Sequence, residues 1–201
     1  MDGPEMSTRI TPAGYPTVPD SVTSVCDGAS VGVIIRDTDG RWLLLRRVRP
    51  PEGMAPVAGH IDDHGSPEDA ARAEVSEEVG LAVISLTHQF SVWHPGPCRR
   101  HYRPGHTPGH AWTVYEAIVT GDLAPDATEA ADVAWHTTAQ LRALAMHTVA
   151  VAQGTPGLHQ RDGLEPVWVE HLAALGHIQI SPADMVSIRA LAARSPYEPT
   201  R

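Results

Sequence analysis

The sequence predicts an α/β protein: a mixed β-sheet covered by helices. Apolar runs of strand length and segments of helical period alternate without strict β–α–β order, which favours a mixed sheet over a doubly wound one. Two apolar runs flank Asp39-Gly40, a hairpin turn signal. One segment, Ser66 to Gly80, carries a full set of helix start and stop signals.

In chain order, residues 1–24 hold Pro4, Pro12, Pro16 and Pro19 with little apolar pattern and read as a tail or loosely docked arm. "SVGVIIRDTDGRWLLLRRV" from Ser30 reads as the hairpin, and "PPEGMAPVAGH" as a loop with a short strand. In the helix that follows, Ser66 is the N-cap, Pro67 the first helical residue, and Glu68 and Asp69 suit the positive end of the dipole. Ala71, Val75 and Val79 form its buried stripe, and Gly80 stops it. "LAVISLTHQFSVWH" is one long or broken strand, "PGPCRRHYRPGHTPGH" a loop, "AWTVYEAIVTG" and "DVAWHT" strands. "TAQLRALAMH" is a helix capped by Thr137 or Thr138. Beyond Gly157, "LEPVWVEHLAALG" and "SPADMVSIRALAAR" are two more helices. The expected division is a tail over 1–24, a domain over 25–150 and a helical extension over 151–201.

The 201 residues suffice for a sizeable core, and a net charge of −9 argues against general nucleic-acid binding. Two cysteines, Cys26 and Cys98, make no disulfide scaffold, so a reducing cytoplasm is expected. No apolar run approaches a membrane span, and no signal peptide is expected. A homodimer is compatible with all of this.

Glu74, Glu77 and Glu78 are the anomaly. They share one helix face by i,i+3 and i,i+4 spacing, near the end where negative charge is unwelcome. Each like-charge pair costs about 0.2–0.5 kcal/mol. No lysine offsets them, so a multivalent cation bound by oxygen ligands is the economical explanation.

Gly59, Glu74, Val75, Glu77, Glu78, Gly80 and Leu81, at their spacing, resemble the Nudix box, and the likeness extends over roughly residues 28–148. The resemblance implies an α/β/α sandwich with a mixed sheet, to which the C-terminal helices are additional. Two positions depart from the box. Gly65 stands where its first Glu belongs and Ala73 where its Arg belongs. In the family those two side chains pair and brace the loop against the helix. Losing both leaves no orphan buried charge, so the site reads as re-braced, with Asp62, Asp63 and His64 as candidates. Arg72 cannot substitute, because two positions along a helix it points roughly 160° away from Glu74.

What the resemblance implies is hydrolysis of a diphosphate bond in a nucleoside diphosphate linked to another group, with Mg2+, or Mn2+, neutralising phosphate oxygens. Glu77, Glu78 and the Gly59 carbonyl would hold metal, and Glu74 would be a ligand or the general base. Glu129 is the first choice for a later carboxylate completing the site, and Asp132 the second. Arg46, Arg47, Arg99 and Arg100 are candidate phosphate contacts, and strand alternation allows only one of Arg46 and Arg47 to face the cleft. Arg49 ends the same strand. Trp112 and Trp93 could stack on a base, though core packing is the commoner use of such residues. None of the downstream motifs of the NADH, coenzyme A or ADP-ribose branches is present. The alternatives are a catalytically weak domain that binds a nucleotide or protein partner, and an isomerase of the isopentenyl type.

His88, His94, His101, His106 and His110 crowd around Cys98. A zinc site using Cys98, a histidine and Cys26 is conceivable, but no CxxC pair supports it. The expectation is a polar loop that closes over substrate without zinc.

Overall fold

The computed structural model describes residues 25–194 apart from 62, 63, 99 and 103. The tail read over 1–24, the candidates Asp62 and Asp63, and Arg99 therefore lie outside the described residues.

Among the described residues seven strands form two sheets. In the first, β4 (Val57–His60), β1 (Ala29–Ile35), β6 (Gly109–Thr120) and β5 (Ala82–Pro95) lie side by side in that order. The second orders β3 (Met54–Ala55), β2 (Trp42–Arg47) and β7 (Ala130–His136). The first sheet is mixed: β1 pairs antiparallel with β4 and parallel with β6. The helices are α1 (Pro67–Val79), α2 (Thr138–Ala152), α3 (Pro166–Ala174) and α4 (Pro182–Ala192). None among the described residues is long and apolar enough to cross a membrane.

The Asp39-Gly40 turn forms as expected, with Gly40 N–H donating to the Asp37 carbonyl, but the two runs it joins are not a hairpin. Beyond the single Arg36–Trp42 bridge, β1 and β2 part into different sheets. The cause is in β1, where Ser30 to Ile35 is buried without a break. Such a strand is central, covered on both faces. Both its edges are taken by β4 and β6, leaving none for β2.

Alternation along β1 and β2 divides the core between two layers. Val31, Val33, Ile35, Leu43 and Leu45 face α1, where Ala71, Val75 and Val79 complete the cluster as the helical stripe predicts. Ile34, Trp42 and Leu44 face the opposite way, onto α2, α3 and α4. The result is an α/β/α sandwich. The C-terminal helices supply much of its second layer: Trp168, Val169, Leu172 and Ile188 are fully buried. Gly32 makes room for them, since a Cβ there would overlap the Trp168 ring. The boundary read at residue 150 falls inside α2, which runs to Ala152.

Helix ends follow their sequence signals. Ser66 Oγ accepts from Asp69 N–H, and Gly80 adopts the left-handed conformation at φ 73°. Thr137 caps α2 in a reciprocal box with Gln140, and Ser181 caps α4. The long strand β5 is bulged between Val83 and Ser85 and between His88 and Phe90.

Candidate active site

Strand β4 and helix α1 meet at an unusually close approach. Gly59 lies directly against the Glu74 carboxylate, so that a Cβ at Gly59 would occupy the same space. One residue earlier, Ala58 N–H donates to Glu78 Oε2 at 3.2 Å. Both carboxylates are thereby turned inward onto the strand and buried, while Glu77 stays exposed at their margin. The Gly59 backbone and two of the three glutamates thus form one constellation, with Glu77 contributing its charge from the rim.

Alternation on β2 sends its two arginines apart. Arg47 points into the carboxylates and feels Glu165, Glu78, Glu74 and Glu129; burial disfavours its charge, but these four hold its pKa above the ordinary value. Its ion-pair partner is Glu165 Oε2 at 4.0 Å. Arg46 points the other way, to Asp132 at 2.8 Å and the Arg161 carbonyl. Of the two later carboxylates, Glu129 is the one whose charge reaches Glu74 and Glu78; it pairs with Arg49 at 3.6 Å on the rim. Asp132 is taken up by Arg46 on the far side.

Glu165 is a member that sequence reasoning missed. It precedes Pro166 at the start of α3, and its backbone N–H donates to the Met54 carbonyl, so a segment of the C-terminal extension pairs along β3. Its one sequence signal was a carboxylate beside a helix-opening proline.

Of the loop-bracing candidates, His64 meets the cluster, with Nε2 3.8 Å from Glu74 Oε1. Gly65 adopts φ 90°, a conformation that a glutamate would hold only under strain. Arg72 reaches across to the Val83 carbonyl at 2.9 Å, away from Glu74 as helical geometry requires.

Two substrate candidates, Arg46 and Trp112, sit elsewhere. Arg46 is committed to Asp132, as above. Trp112 is 8% exposed, packed edge-on to Trp168 and His171 in the second core layer, and offers no face for a base. The tryptophan that does reach solvent is Trp93, 49% exposed, against the expectation that both would be core. The two lie on paired strands in neighbouring registers, so their side chains take opposite faces. Arg100 is in the loop between β5 and β6, where its backbone N–H donates to Cys98 Sγ.

The electrostatics bear on the clustered glutamates of α1. Burial, then repulsion from Glu78 and Glu77, pushes Glu74 up to about 8; Arg47 opposes this. Burial pushes Glu78 up to about 7 against Arg47 and the Ala58 N–H, and burial pushes Glu165 to about 7 against Arg47. Crowded hard oxygen donors with a proton affinity this high fit a divalent cation.

A stability prediction follows from these shifts. A carboxylate whose folded pKa is raised binds protons in the folded state that the unfolded chain has released, so stability falls as pH rises through the interval. Burial depresses His171 to about 3 and acts in the opposite sense, but only below its ordinary 6.5. Between about pH 6.5 and 8 the carboxylates act alone, and the metal-free protein is expected to lose thermal stability steadily. Saturating magnesium should flatten that slope, as melting curves at stepped pH will show.

Gly59→Ala is the local test of the close approach. The new methyl must displace the Glu74 carboxylate, and a displacement near 1 Å in such a site costs on the order of 100-fold in rate. Gly96→Ala is the control, since its Cβ would meet only the Ala192 carbonyl at 3.6 Å. Equal activity in the two variants would show that the approach has no catalytic consequence.

Comparison with known proteins follows the same lines. A family model described as "NUDIX domain" matches residues 27–158. A human protein named NAD(P)H pyrophosphatase NUDT13, mitochondrial, is 28% identical over 184 residues, covering 85% of this chain and 44% of its own length. The mouse protein of that name is 33% identical over 114 residues, covering 50% of this chain and 29% of its own. The chain therefore spans less than half the length of the curated relatives it matches. Among solved structures, DR0079 from Deinococcus radiodurans is similar in fold, with TM-score 0.52, 15% identity, and coverage of 83% of this chain and 96% of that one.

Proposed function

Since the chain belongs to the Nudix family, we propose that it is a divalent-metal-dependent pyrophosphohydrolase acting on a nucleoside diphosphate linked to another group. The observation that carries this reading is the inward convergence of Glu74 and Glu78 on Gly59, at raised proton affinity, with Arg47 beneath them. The Gly59 carbonyl, Glu77 and Glu78 would hold the cation, magnesium by the chemistry of the donors and manganese as a substitute. When bound, it would neutralise phosphate oxygens and make a water more acidic.

The chain's own groups then divide the remaining work. Arg47 keeps Glu78 and Glu74 more ionised than burial alone would allow. Glu74, its proton affinity pushed up to about 8, holds a proton at pH 7 in the metal-free protein; once a cation beside it had displaced that proton, it would be suited to take one from an attacking water. His64 braces it from the loop, in place of the missing box pair. Glu129, at the rim beside Arg49, completes the negative lining. Positioning and charge account for such a reaction, with little covalent work.

The test is a panel of diphosphates with magnesium, reading phosphate released after phosphatase coupling. Reduced nicotinamide dinucleotides stand first in the panel because both curated relatives carry that activity in their names. Turnover of one compound supports the proposal. Saturable binding across the panel without turnover of any member would overturn it in favour of a binding domain.

A further inference from the structure

Two cysteines and two histidines, drawn from four separate segments, converge outside the carboxylate site. Cys26 precedes β1 and bridges to Tyr102; His60 ends β4; Cys98 lies in the loop between β5 and β6; His110 opens β6. Their ligand atoms all lie within 4.8 Å of one another. Cys26 Sγ is 3.2 Å from His110 Nε2 and 3.7 Å from His60 Nε2, and Cys98 Sγ is 3.4 Å from His60 Nε2. The fold makes this possible because β4 and β6 flank β1, which brings the His60 and His110 rings to 5.2 Å, edge to face.

We propose that Cys26, His60, Cys98 and His110 bind a structural zinc ion. Zinc takes thiolate at about 2.3 Å and imidazole at about 2.05 Å in a tetrahedron, which sets sulfur–nitrogen edges at roughly 3.6 Å. The three measured edges, 3.2 to 3.7 Å, lie around that value before any ion draws the ligands in.

A second, independent feature concerns the sulfurs. Each accepts a hydrogen bond from the backbone N–H two residues on: Gly28 N–H to Cys26 Sγ and Arg100 N–H to Cys98 Sγ, both at 3.3 Å. Donors aimed at sulfur favour the thiolate, and paired outer contacts of this kind orient metal ligands. Gly28 adopts φ 74°, which the first of these turns requires. The loop is braced besides by Tyr102, whose hydroxyl donates to the Gly96 carbonyl and accepts from Gly109 N–H.

Four protein ligands leave no open position, so the role is structural. Soft donors also separate this site from the hard carboxylates of α1. The ion ties the segment before β1 and the loop after β5 to the ends of β4 and β6. His60 adjoins Gly59, so zinc fixes the strand end that carries the Gly59 carbonyl. This replaces the expectation of a zinc-free loop; spacings of 34, 38 and 12 residues form no local motif, and only the fold assembles them.

The test uses the full chain purified under reducing conditions without chelator, with metal content read by elemental analysis. About one zinc per chain is expected, together with a lower melting temperature after chelation, because a closed site contributes directly to folding. Exchange with Co(II) should give the visible bands of a tetrahedral centre with thiolate-to-metal charge transfer. Cys98→Ser should lose the zinc and Glu78→Gln should keep it, so the outcome does not depend on hydrolytic activity. If the serine variant fails to fold, the cobalt spectrum of the parent decides. Zinc-free protein whose melting is indifferent to chelator and which gives no tetrahedral cobalt spectrum would overturn the proposal. So would a Cys26–Cys98 disulfide in protein handled anaerobically.

Discussion

Glu78→Gln is expected to abolish most activity while leaving the metal-free protein as stable as its parent, or more so. The side chain is buried and accepts from Ala58 N–H at 3.2 Å, a contact that glutamine's carbonyl oxygen can keep. What the change removes is charge that burial opposes first and Glu129 and Glu165 oppose next, with Arg47 and the Ala58 N–H favouring it. Relief of like-charge repulsion and of a helix-end anion is worth up to about 1 kcal/mol. Magnesium should raise the parent's melting temperature, because it binds the folded state selectively, and raise the variant's much less. Turnover should fall by at least about 100-fold, since a lost ligand misplaces the charge that the transition state needs. A carboxylate kept only for structure would give another pattern: near-parental turnover and the same magnesium response in both proteins.

Arg47→Met is expected to have the largest effect on stability. The arginine sits among four carboxylates, and its direct partner Glu165 is buried. An uncompensated Glu165 charge would cost about 3–5 kcal/mol, but burial already pushes Glu165 up to about 7, so near neutral pH it takes up a proton and the loss is smaller, growing as pH rises. Adding Glu165→Gln should recover most of that loss. It should not restore the ionisation of Glu74 and Glu78, which Arg47 favours. The double variant is therefore expected to fold well, with its pH–activity profile displaced to the alkaline side. Recovery of stability together with a parental profile would assign Arg47 to packing alone.

Local features were legible in the sequence because their causes are local. Ser66, Pro67 and Gly80 bound α1 through backbone groups within a few residues of themselves, and the Nudix box placed Gly59, Glu74, Glu77 and Glu78 on one loop–helix. Helical angles also placed Arg72 away from the cluster, and strand alternation separated Arg46 from Arg47. What the sequence could not disclose depends on partners distant in the chain. The Asp39-Gly40 turn is visible in residues 37–41, but whether its flanks pair depends on β4 and β6 having taken both edges of β1. Glu165 enters the site because residues 163–165 run along β3, more than a hundred positions earlier. Trp93 and Trp112 carry identical rings, and only register on β5 and β6 decides which one is covered by Trp168.

If the raised carboxylates of α1 hold a divalent cation, binding of that cation must release protons. At pH 7 both carboxylates are pushed toward their protonated forms, so a metal that binds there must displace some number of protons. Calorimetric titration of Mn2+ into the parent, in buffers of differing ionisation enthalpy, reads that number. Net proton release on binding is expected at about pH 7, declining as pH rises past the raised values, with much weaker binding by Glu78→Gln. Binding that releases no protons, or that is equally strong in parent and variant, would contradict it.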